Sequence, residues 1–373
     1  MSLRSKVRKI KQISHSALIS PKPEDLSTLI FAITYLCDSK CTMCNIWQKY
    51  KNYPDKYREE LTIEEIREIF KRSNFLKQIQ IIGIAGGEPF LKKDFVDIVL
   101  FFYELNPFLK MRIPSNGQKP KLIEEKLRLI RHTLGEREIK DCDMVVGFSL
   151  DGIGDTHDRI RGAKGSYQRV LEAVELIKKI DGIKVNISFT FTPDNYKDFI
   201  AVYDLSKRLD ISLSFQFAQV SSNFYDNIEK QFKWNKEQLF EIREFLIRTR
   251  FLRDESNRSL ADRLLSIDRF FLEYVIEYQQ SQGRSFDCFS GTHSCYIDPY
   301  GNIFPCIMLD KSYGNIREQN FDTLWKSPKA KQIRNFISQY KCHCPSPCDI
   351  PNSLSRNWQV IAWNLKNILL HGE

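Results

Sequence analysis

The sequence predicts an α/β protein in which a partial (β/α)6 barrel is followed by a small cysteine-rich domain. Apolar, strand-like runs alternate with amphipathic helical stretches between residues 29 and 217. Motifs rich in polar residues or cysteine follow the ends of the first four runs, and cysteines and turns become dense after Gly283. Strand–helix alternation implies a parallel sheet with right-handed crossovers, and sites in such barrels lie at the carboxyl ends of the strands.

Six apolar runs are predicted as the strands of the barrel. They are Leu29–Tyr35, Ile79–Ala85, Leu109–Ile113, Met144–Leu150, Lys184–Phe191 and Ser212–Phe217. The stretches between them carry helix signals, of which the capping box Thr62–Glu65 is the clearest. Further helices are predicted at Asp94–Leu105, Ser166–Ile180 and Tyr196–Leu209, each bounded by a turn sequence.

The same patterns divide the chain into five predicted segments. These are a basic N-terminal tail (1–27), the barrel (28–218), connecting helices (219–283), the cysteine-rich domain (284–350) and a C-terminal helix (351–373). The connecting segment carries two helical patterns, Leu239–Phe251 and Leu260–Gln279, and Cys295–Cys306 is predicted as a β-hairpin around Pro299–Gly301. The C-terminal helix is apolar, and we expect it to dock on the barrel rather than on a membrane.

Composition and charge predict an intracellular protein. Of 373 residues, 42% are hydrophobic and 28% are charged, which suits a chain with a real core. No apolar run of transmembrane length and no secretory signal is visible, so the ten cysteines are expected to bind metal in the cytoplasm instead of forming disulfides. The net charge of +9 comes mainly from scattered lysines and arginines, and no nucleic-acid partner is expected because no binding module is visible.

Three cysteines, Cys37, Cys41 and Cys44, form a C-x3-C-x2-C loop directly after the first predicted strand. Thiolates at such short spacings can converge on one face of a cubic iron–sulfur cluster, and three ligands leave the fourth iron open for a small molecule. A zinc site is the alternative. It requires a fourth ligand nearby, and the next histidine in the sequence is His132.

The cysteine loop, read together with Gly86-Gly87-Glu88-Pro89 at the end of the second strand, resembles the radical S-adenosylmethionine (SAM) enzymes. The resemblance implies that Cys37, Cys41 and Cys44 bind a [4Fe–4S] cluster whose open iron is chelated by SAM. It also implies cleavage of SAM to a 5′-deoxyadenosyl radical, which abstracts hydrogen from the substrate. A flavodoxin- or ferredoxin-type protein is the expected electron donor.

Further residues at the strand ends are also expected to help bind SAM. Gly86 and Gly87 lack side chains, so their backbone can approach a ligand closely, and in the family this loop contacts the amino group of SAM with support from the following Glu88-Pro89. The turn containing Asn116 resembles the family's motif at the third strand end. Met43 stands where the family often has an aromatic residue, and its soft apolar side chain can pack on the adenine.

The fourth strand end supplies the remaining expected contacts. The run from Ser149 through Asp151 to Arg161 looks like the family's binding region for the ribose and carboxylate of SAM. A hydroxyl and a carboxylate can bind ribose hydroxyls, and a guanidinium fits a carboxylate. We interpret His157 as a hydrogen-bonded loop histidine rather than an acid or base.

The C-terminal cysteines resemble the SPASM/twitch extension of radical SAM enzymes, which carries auxiliary [4Fe–4S] clusters. Six cysteines are too few for two fully cysteine-ligated clusters, so one auxiliary cluster is expected. Cys288 and Cys306 are the predicted first pair of ligands, with Cys344 and Cys348 as the second, while Cys295 and Cys342 compete with them. Structural zinc is the alternative for this domain.

The implied function is a net oxidation or crosslink of a peptide or a small molecule, including a carbohydrate, assisted by the auxiliary cluster. Ile307 follows Cys306, where members that oxidise a sulfatase peptide have an aspartate, which argues against that activity. The competing classes are a radical SAM methyltransferase or RNA-modifying enzyme, and a non-enzymatic iron–sulfur carrier. The sequence does not identify the substrate, the bond formed, the oligomeric state or the reductant.

Overall fold

The strands of the barrel follow the sequence prediction closely. The computed structural model describes residues 22–51, 53–139, 142–250, 267–281, 283–284, 286–346, 350–355 and 357–371. Its strands are β1 (Thr28–Thr34), β2 (Ile81–Gly86), β3 (Lys110–Ser115), β4 (Asp143–Ser149), β5 (Ile183–Phe191), β6 (Ser212–Phe217), β7 (Ser294–Ile297), β8 (Asn302–Phe304) and β9 (Gly314–Asn315). The first six strands differ from their predicted bounds by at most two residues at either end.

Helices connect the parallel strands. In the barrel they are α1 (Ile63–Arg72), α2 (Asn74–Lys77), α3 (Phe95–Leu105), α4 (Pro120–Glu136), α5 (Asp155–Arg161), α6 (Ser166–Ile177) and α7 (Phe199–Arg208). Beyond the barrel lie α8 (Lys236–Arg250), α9 (Asp268–Ser281), α10 (Phe321–Lys326), α11 (Pro328–Ser338), α12 (Ile350–Leu354) and α13 (Trp358–His371). Short 3-10 helices cover Pro23–Asp25, Ile46–Gln48, Pro54–Glu59, Pro89–Leu91 and Tyr196–Asp198.

The sheet is open and has the strand order β6-β5-β4-β3-β2-β1-β7-β8-β9. Strands β1 to β6 pair in parallel, each with its neighbour in the chain, as a partial barrel requires. Parallel pairing places the carboxyl ends of these strands at one edge of the sheet, where the predicted motifs begin. The predicted α/β partial barrel is therefore confirmed.

Helices pack on the outer face of the sheet and form the main core with it. The predicted capping box starts α1, where the Glu65 N–H donates to Thr62 Oγ1 at 3.3 Å and the Thr62 N–H donates to Glu65 Oε2 at 2.9 Å. Three buried aromatic rings then join α1, α3 and the sheet. Phe70 lies with its ring centroid 6.2 Å from that of Phe31 and 4.9 Å from that of Phe102.

The C-terminal hairpin continues the sheet of the barrel. The predicted turn at Pro299–Gly301 joins the antiparallel strands β7 and β8, and β7 pairs in parallel with β1 from Thr28 to Phe31. A second contact lies on the helical side, where the Asp322 carboxylate of α10 accepts a 2.9 Å hydrogen bond from the Asn74 N–H at the start of α2. The C-terminal segment thus covers the β1 edge of the barrel.

The connecting and C-terminal helices pack against each other. The ring of Trp363 on α13 lies 5.5 Å from that of Phe270 on α9, and Val360 is buried. Among the described residues, no helix has both the length and the apolar character needed to cross a bilayer. Of the predicted basic tail, residues 1–21 lie outside the described residues, as do residues 251–266 between α8 and α9.

Candidate active site

The cysteine loop that follows β1 is held from two sides. On one side its backbone pairs with the end of α5, because the N–H groups of Lys40 and Thr42 donate to the carbonyls of Arg161 and Ile160 at 3.1 and 2.9 Å. The other side contacts the end of β2. Both anchors lie at the carboxyl edge of the sheet, so the loop is fixed where the strand ends meet.

Two glycines allow the end of β2 to lie directly against the cysteine loop. The Gly87 N–H donates to the Thr34 carbonyl at 2.8 Å. A Cβ atom on Gly86 would lie 2.0 Å from the Thr34 oxygen, and one on Gly87 would lie 2.1 Å from the Leu36 oxygen. No side chain fits at such distances. The glycines are therefore required for packing of the loop, in addition to leaving room for a ligand.

The three thiols of this loop line one cavity of about 340 Å³, a size typical of small-molecule sites. Each sulfur has a different polar neighbour: Asn116 Nδ2 lies 3.9 Å from Cys37, Arg161 Nη1 lies 3.5 Å from Cys41, and the Ile46 N–H lies 3.5 Å from Cys44. Burial raises the pKa of all three thiols, that of Cys44 to about 12, and the charge of Cys41 raises the pKa of both others. The thiols are thus neighbours that a bound metal would deprotonate.

The arrangement fits an iron–sulfur cluster better than a single zinc ion. Among the described residues, no group of three or more His, Cys, Asp or Glu side chains is placed to share one metal ion. A [4Fe–4S] cluster binds each thiolate through a different iron, so its ligands need not meet at one point. His132, the nearest histidine in sequence, lies on α4 with Nε2 3.4 Å from the Glu136 carboxylate.

A buried ion pair orients the cationic group of the cavity. Arg161 Nη2 lies 2.6 Å from Asp151 Oδ2, and the other oxygen of Asp151 accepts a 2.7 Å hydrogen bond from the Thr190 N–H. Asp151 is fully buried, and burial raises its pKa while the Arg161 charge opposes that rise. Arg161 is 8% exposed, lines the cavity, and has a buried Nε with no hydrogen-bond partner in the described structure. This donor is therefore unused within the described structure.

Glu88 supports the third strand end from behind the cavity. Its carboxylate accepts hydrogen bonds from the Asn116 N–H at 2.7 Å, Ser115 Oγ at 3.0 Å and the Phe90 N–H at 3.3 Å. Burial raises the pKa of Glu88 to about 7, although these donors lower it. The carboxylate thereby fixes the turn that carries Asn116, whose Nδ2 donates to Asp38 in the cysteine loop at 2.7 Å.

Most of the predicted site residues meet at this one cavity. Those that line it are Cys37, Cys41, Cys44, Gly86, Gly87, Asn116, Ser149 and Arg161. Three others, Glu88, Pro89 and Asp151, are buried and do not line it. His157 is also buried, on α5 rather than in a loop, where Nδ1 accepts from the Asp151 N–H at 3.0 Å and burial lowers its pKa to about 3.

A row of polar side chains on the inner face of β5 and β6 also lines the cavity, and sequence reasoning missed it. Its members are Ser188, Thr190, Ser214 and Gln216. They bond to one another, with Ser188 Oγ 3.0 Å from Ser214 Oγ and Gln216 Nε2 3.2 Å from Thr190 Oγ1. Strict alternation of polar and apolar residues in both strands was the available signal, because strands buried on both faces are normally apolar throughout.

Two described cysteines of the C-terminal region, Cys288 and Cys344, lie near Tyr274, and a third, Cys342, lies near Cys288. Burial, and then the charge of Cys288, raise the pKa of Cys342 to about 11. The Tyr274 hydroxyl donates to the Cys344 carbonyl at 2.7 Å, and the charges of Cys344 and Cys288 both raise the pKa of that tyrosine. Cys342, which the sequence left as a competitor, therefore lies close to Cys288.

Two further described cysteines of this region belong to the β7–β8 hairpin or follow it closely. Cys295 and Cys306 are both buried, and their charges raise the pKa of Tyr313 after the larger effect of burial. Cys348 lies outside the described residues. Ile307, directly after Cys306, lines the cavity that holds the three barrel cysteines. The C-terminal region therefore forms part of the cavity wall.

Comparison with known proteins agrees with this geometry. A model of the radical SAM superfamily matches residues 31–206, and a model of the SPASM iron–sulfur cluster-binding domain matches residues 288–349. The chain belongs to the radical SAM superfamily. SAM and [4Fe–4S] clusters are accordingly the cofactors of this radical SAM protein, and the predicted SPASM extension is confirmed.

Relatives of this radical SAM protein include enzymes with different substrates. The AdoMet-dependent heme synthase of Methanosarcina barkeri is 25% identical over 290 residues, which cover 72% of this chain and 74% of the relative. The subtilosin biosynthesis protein AlbA of Bacillus subtilis is 24% identical over 310 residues, 81% of this chain and 60% of AlbA. The chain thus spans about three fifths of AlbA.

A solved structure shares the fold. The crystal structure of Streptococcus suis SuiB bound to its precursor peptide SuiA aligns with a TM-score of 0.56 and 17% identity, covering 89% of this chain and 70% of SuiB.

The number of clusters can be counted. We expect anaerobically reconstituted protein to hold about eight irons per chain and little zinc, because six C-terminal cysteines can fully ligate one cluster beside the one in the barrel. Elemental analysis measures the iron and zinc content per chain. A count near four with stoichiometric zinc would instead indicate a structural zinc site, and a count near twelve would indicate clusters that are not fully ligated by cysteine.

Proposed function

We propose that this protein is a radical SAM enzyme that abstracts a hydrogen atom from a peptide substrate and carries out a net oxidation or crosslink. The observation that carries the proposal is the cavity shared by the three barrel thiols, the Gly86-Gly87 backbone and the unpartnered Nε of Arg161. When bound, the cluster and SAM together supply a 5′-deoxyadenosyl radical. The residues of the chain position these groups and the substrate.

Each residue has a proposed task that follows from its position. Cys37, Cys41 and Cys44 hold the cluster, and the Arg161 guanidinium binds the SAM carboxylate through the donor that Asp151 leaves unused. Asp151 is a positioning residue, since it does not line the cavity.

The other contacts come from the neighbouring strand ends. The backbone at Gly86-Gly87 receives the SAM amino group, Ser149 bonds a ribose hydroxyl, and Met43 packs on the adenine. Glu88 acts through the turn of Asn116, which it fixes.

The charge of the cavity favours a peptide over a polyanion. Among the described residues that line it, Arg161 is the only charged one, and its charge is already matched by Asp151. The remaining lining is apolar, aromatic or neutral and polar, which suits a peptide backbone. AlbA, a relative of this chain, is named for the biosynthesis of a bacteriocin.

A haem precursor is the second candidate substrate. The likeness to AdoMet-dependent heme synthase, which covers 72% of this chain and 74% of that relative, favours it. Such precursors carry several carboxylates, and burying them without cationic partners is costly. We therefore rank the peptide first.

The net oxidation is proposed because the C-terminal region reaches the cavity. Ile307 lines the cavity and follows Cys306, so an auxiliary cluster with Cys306 as a ligand would lie near a bound substrate and could accept its electron. A flavodoxin- or ferredoxin-type protein is the proposed donor of the electron that starts each turnover.

Deuterium transfer tests the substrate class. The reconstituted enzyme, SAM and dithionite are incubated with blocked dipeptides whose carbon-bound hydrogens are replaced by deuterium, or in a parallel arm with coproporphyrin. We expect mass spectrometry to detect deuterium in 5′-deoxyadenosine from the peptide arm. Turnover of coproporphyrin with no transfer from any peptide would instead establish the second candidate.

A further inference from the structure

Gln219, two residues beyond the end of β6, has a buried polar side chain with no hydrogen-bond partner among the described residues. It is 5% exposed and lines the cavity, and neither Nε2 nor Oε1 has a hydrogen-bond partner in the described part of the chain. Each buried amide atom left unpaired costs about 1–3 kcal/mol. Buried polar groups in folded proteins are almost always satisfied, so two such atoms in one residue of the cavity wall point to a partner that the described part of the chain does not supply.

The backbone of Gln219 is fixed relative to the cysteine loop. Asn227, which is fully buried, donates through Nδ2 to the Gln219 carbonyl at 2.9 Å and to the Met43 carbonyl at 2.7 Å. Its Oδ1 accepts from the Ser221 N–H at 3.0 Å. One side chain therefore joins the segment after β6 to the loop of the three thiols, so the backbone of Gln219 is held at a fixed position relative to that loop.

The chemistry of Gln219 differs from that of the polar row beside it. Gln216 and Thr190 bond to each other, as do Ser188 and Ser214, whereas both amide atoms of Gln219 stay unused. A carboxamide presents one acceptor and one donor side by side. In an extended peptide, the N–H and C=O of a single residue point to the same side, as in a hydrogen-bonded pair of antiparallel strands, and match this pattern.

We propose that Gln219 is a substrate-recognition residue that holds one residue of an extended peptide through its backbone N–H and C=O. The proposal rests on the peptide substrate proposed above and adds the contact that positions it. The adenine of SAM also presents a donor beside an acceptor, and a Gln can bind that edge too. SAM binding and peptide binding must therefore be measured separately.

The test compares Gln219→Met, which keeps length and removes both amide atoms, with wild type and with Gln279→Met. Gln279 lies on α9, outside the residues that line the cavity, and donates to a helix carbonyl at 3.3 Å. With the reconstituted holoenzyme, calorimetry measures SAM affinity, and then the affinity of N-acetylalanine N′-methylamide in the presence of SAM. Formation of 5′-deoxyadenosine without a probe is measured in parallel.

We expect Gln219→Met to weaken binding of the amide probe about tenfold or more, because methionine cannot form the two hydrogen bonds that the Gln219 amide would make with the probe. SAM affinity and 5′-deoxyadenosine formation without the probe should stay within about twofold of wild type, which is under 0.5 kcal/mol. Gln279→Met should match wild type in every measurement.

Three outcomes would overturn the proposal. An equal loss of SAM affinity would place Gln219 on the adenine. Unchanged probe affinity in Gln219→Met would remove it from recognition. Failure of the wild-type enzyme to bind the probe would exclude an amide subsite, and normal 5′-deoxyadenosine formation in that sample would leave the radical chemistry itself standing.

Discussion

The variant with Cys37, Cys41 and Cys44 all replaced by alanine is expected to form no 5′-deoxyadenosine under dithionite. The three partly buried thiols line one cavity, and each is expected to bind a different iron of the cluster. Without them the cluster cannot be held in the barrel, although part of the iron should remain in the C-terminal region. Chromatography of the nucleoside product and iron analysis of the same sample measure both effects.

A cysteine outside the site provides the control. Cys142 is buried near the start of β4, with its sulfur close to Arg131, and does not line the cavity. Cys142→Ala should keep both the iron content and the formation of 5′-deoxyadenosine. Normal product formation by the triple alanine variant would end the assignment of Cys37, Cys41 and Cys44.

The sequence predicted the barrel well because its signals were local and repeated. Six apolar runs separated by helices leave few alternatives to a parallel sheet, and parallel pairing then brings motifs that are far apart in sequence to one edge. Arg161 could be placed at the same edge of the sheet as the cysteine loop for this reason. The distance of 3.5 Å between Arg161 Nη1 and Cys41 Sγ follows from pairing of the cysteine loop with α5, which no local sequence pattern predicts.

The features of the site that the sequence did not predict depend on tertiary contacts. Asp151 was expected at the ribose, but its burial beneath Arg161 is set by the Thr190 N–H of the next strand. Gln219 lies in no recognisable sequence motif, and it stands out only because its side-chain amide has no hydrogen-bond partner in the described structure. Cys342 could not be ranked as a cluster ligand from the sequence, because its position beside Cys288 depends on the fold of the C-terminal region.

Replacement of Arg161 by alanine is expected to have two separate effects. It leaves the fully buried Asp151 without its cation, which should lower the free energy of unfolding by about 3–5 kcal/mol. It also removes the proposed contact to the SAM carboxylate, which should weaken SAM binding by about 1.5–3 kcal/mol. Urea denaturation measures the first effect, and calorimetry on the reconstituted protein measures the second.

A double variant separates stability from binding. Combining Arg161→Ala with Asp151→Asn removes both charges, so much of the lost stability should return while SAM affinity stays low. Arg161→Lys keeps the charge but not the planar fork, and should fall between wild type and Arg161→Ala in SAM affinity. Wild-type SAM affinity in the double variant would remove Arg161 from the cofactor site.

Pairing of β1 with β7 affects how the nascent chain folds during translation. The ribosome completes β1 about 260 residues before it reaches β7. At ordinary rates of translation, roughly 5–20 residues per second, the outer edge of β1 stays unpaired for on the order of ten to fifty seconds before β7 is synthesised. An apolar edge strand that stays unpaired can join a foreign strand. Translation that stops short of β7 would therefore yield an aggregation-prone fragment in place of a smaller working barrel.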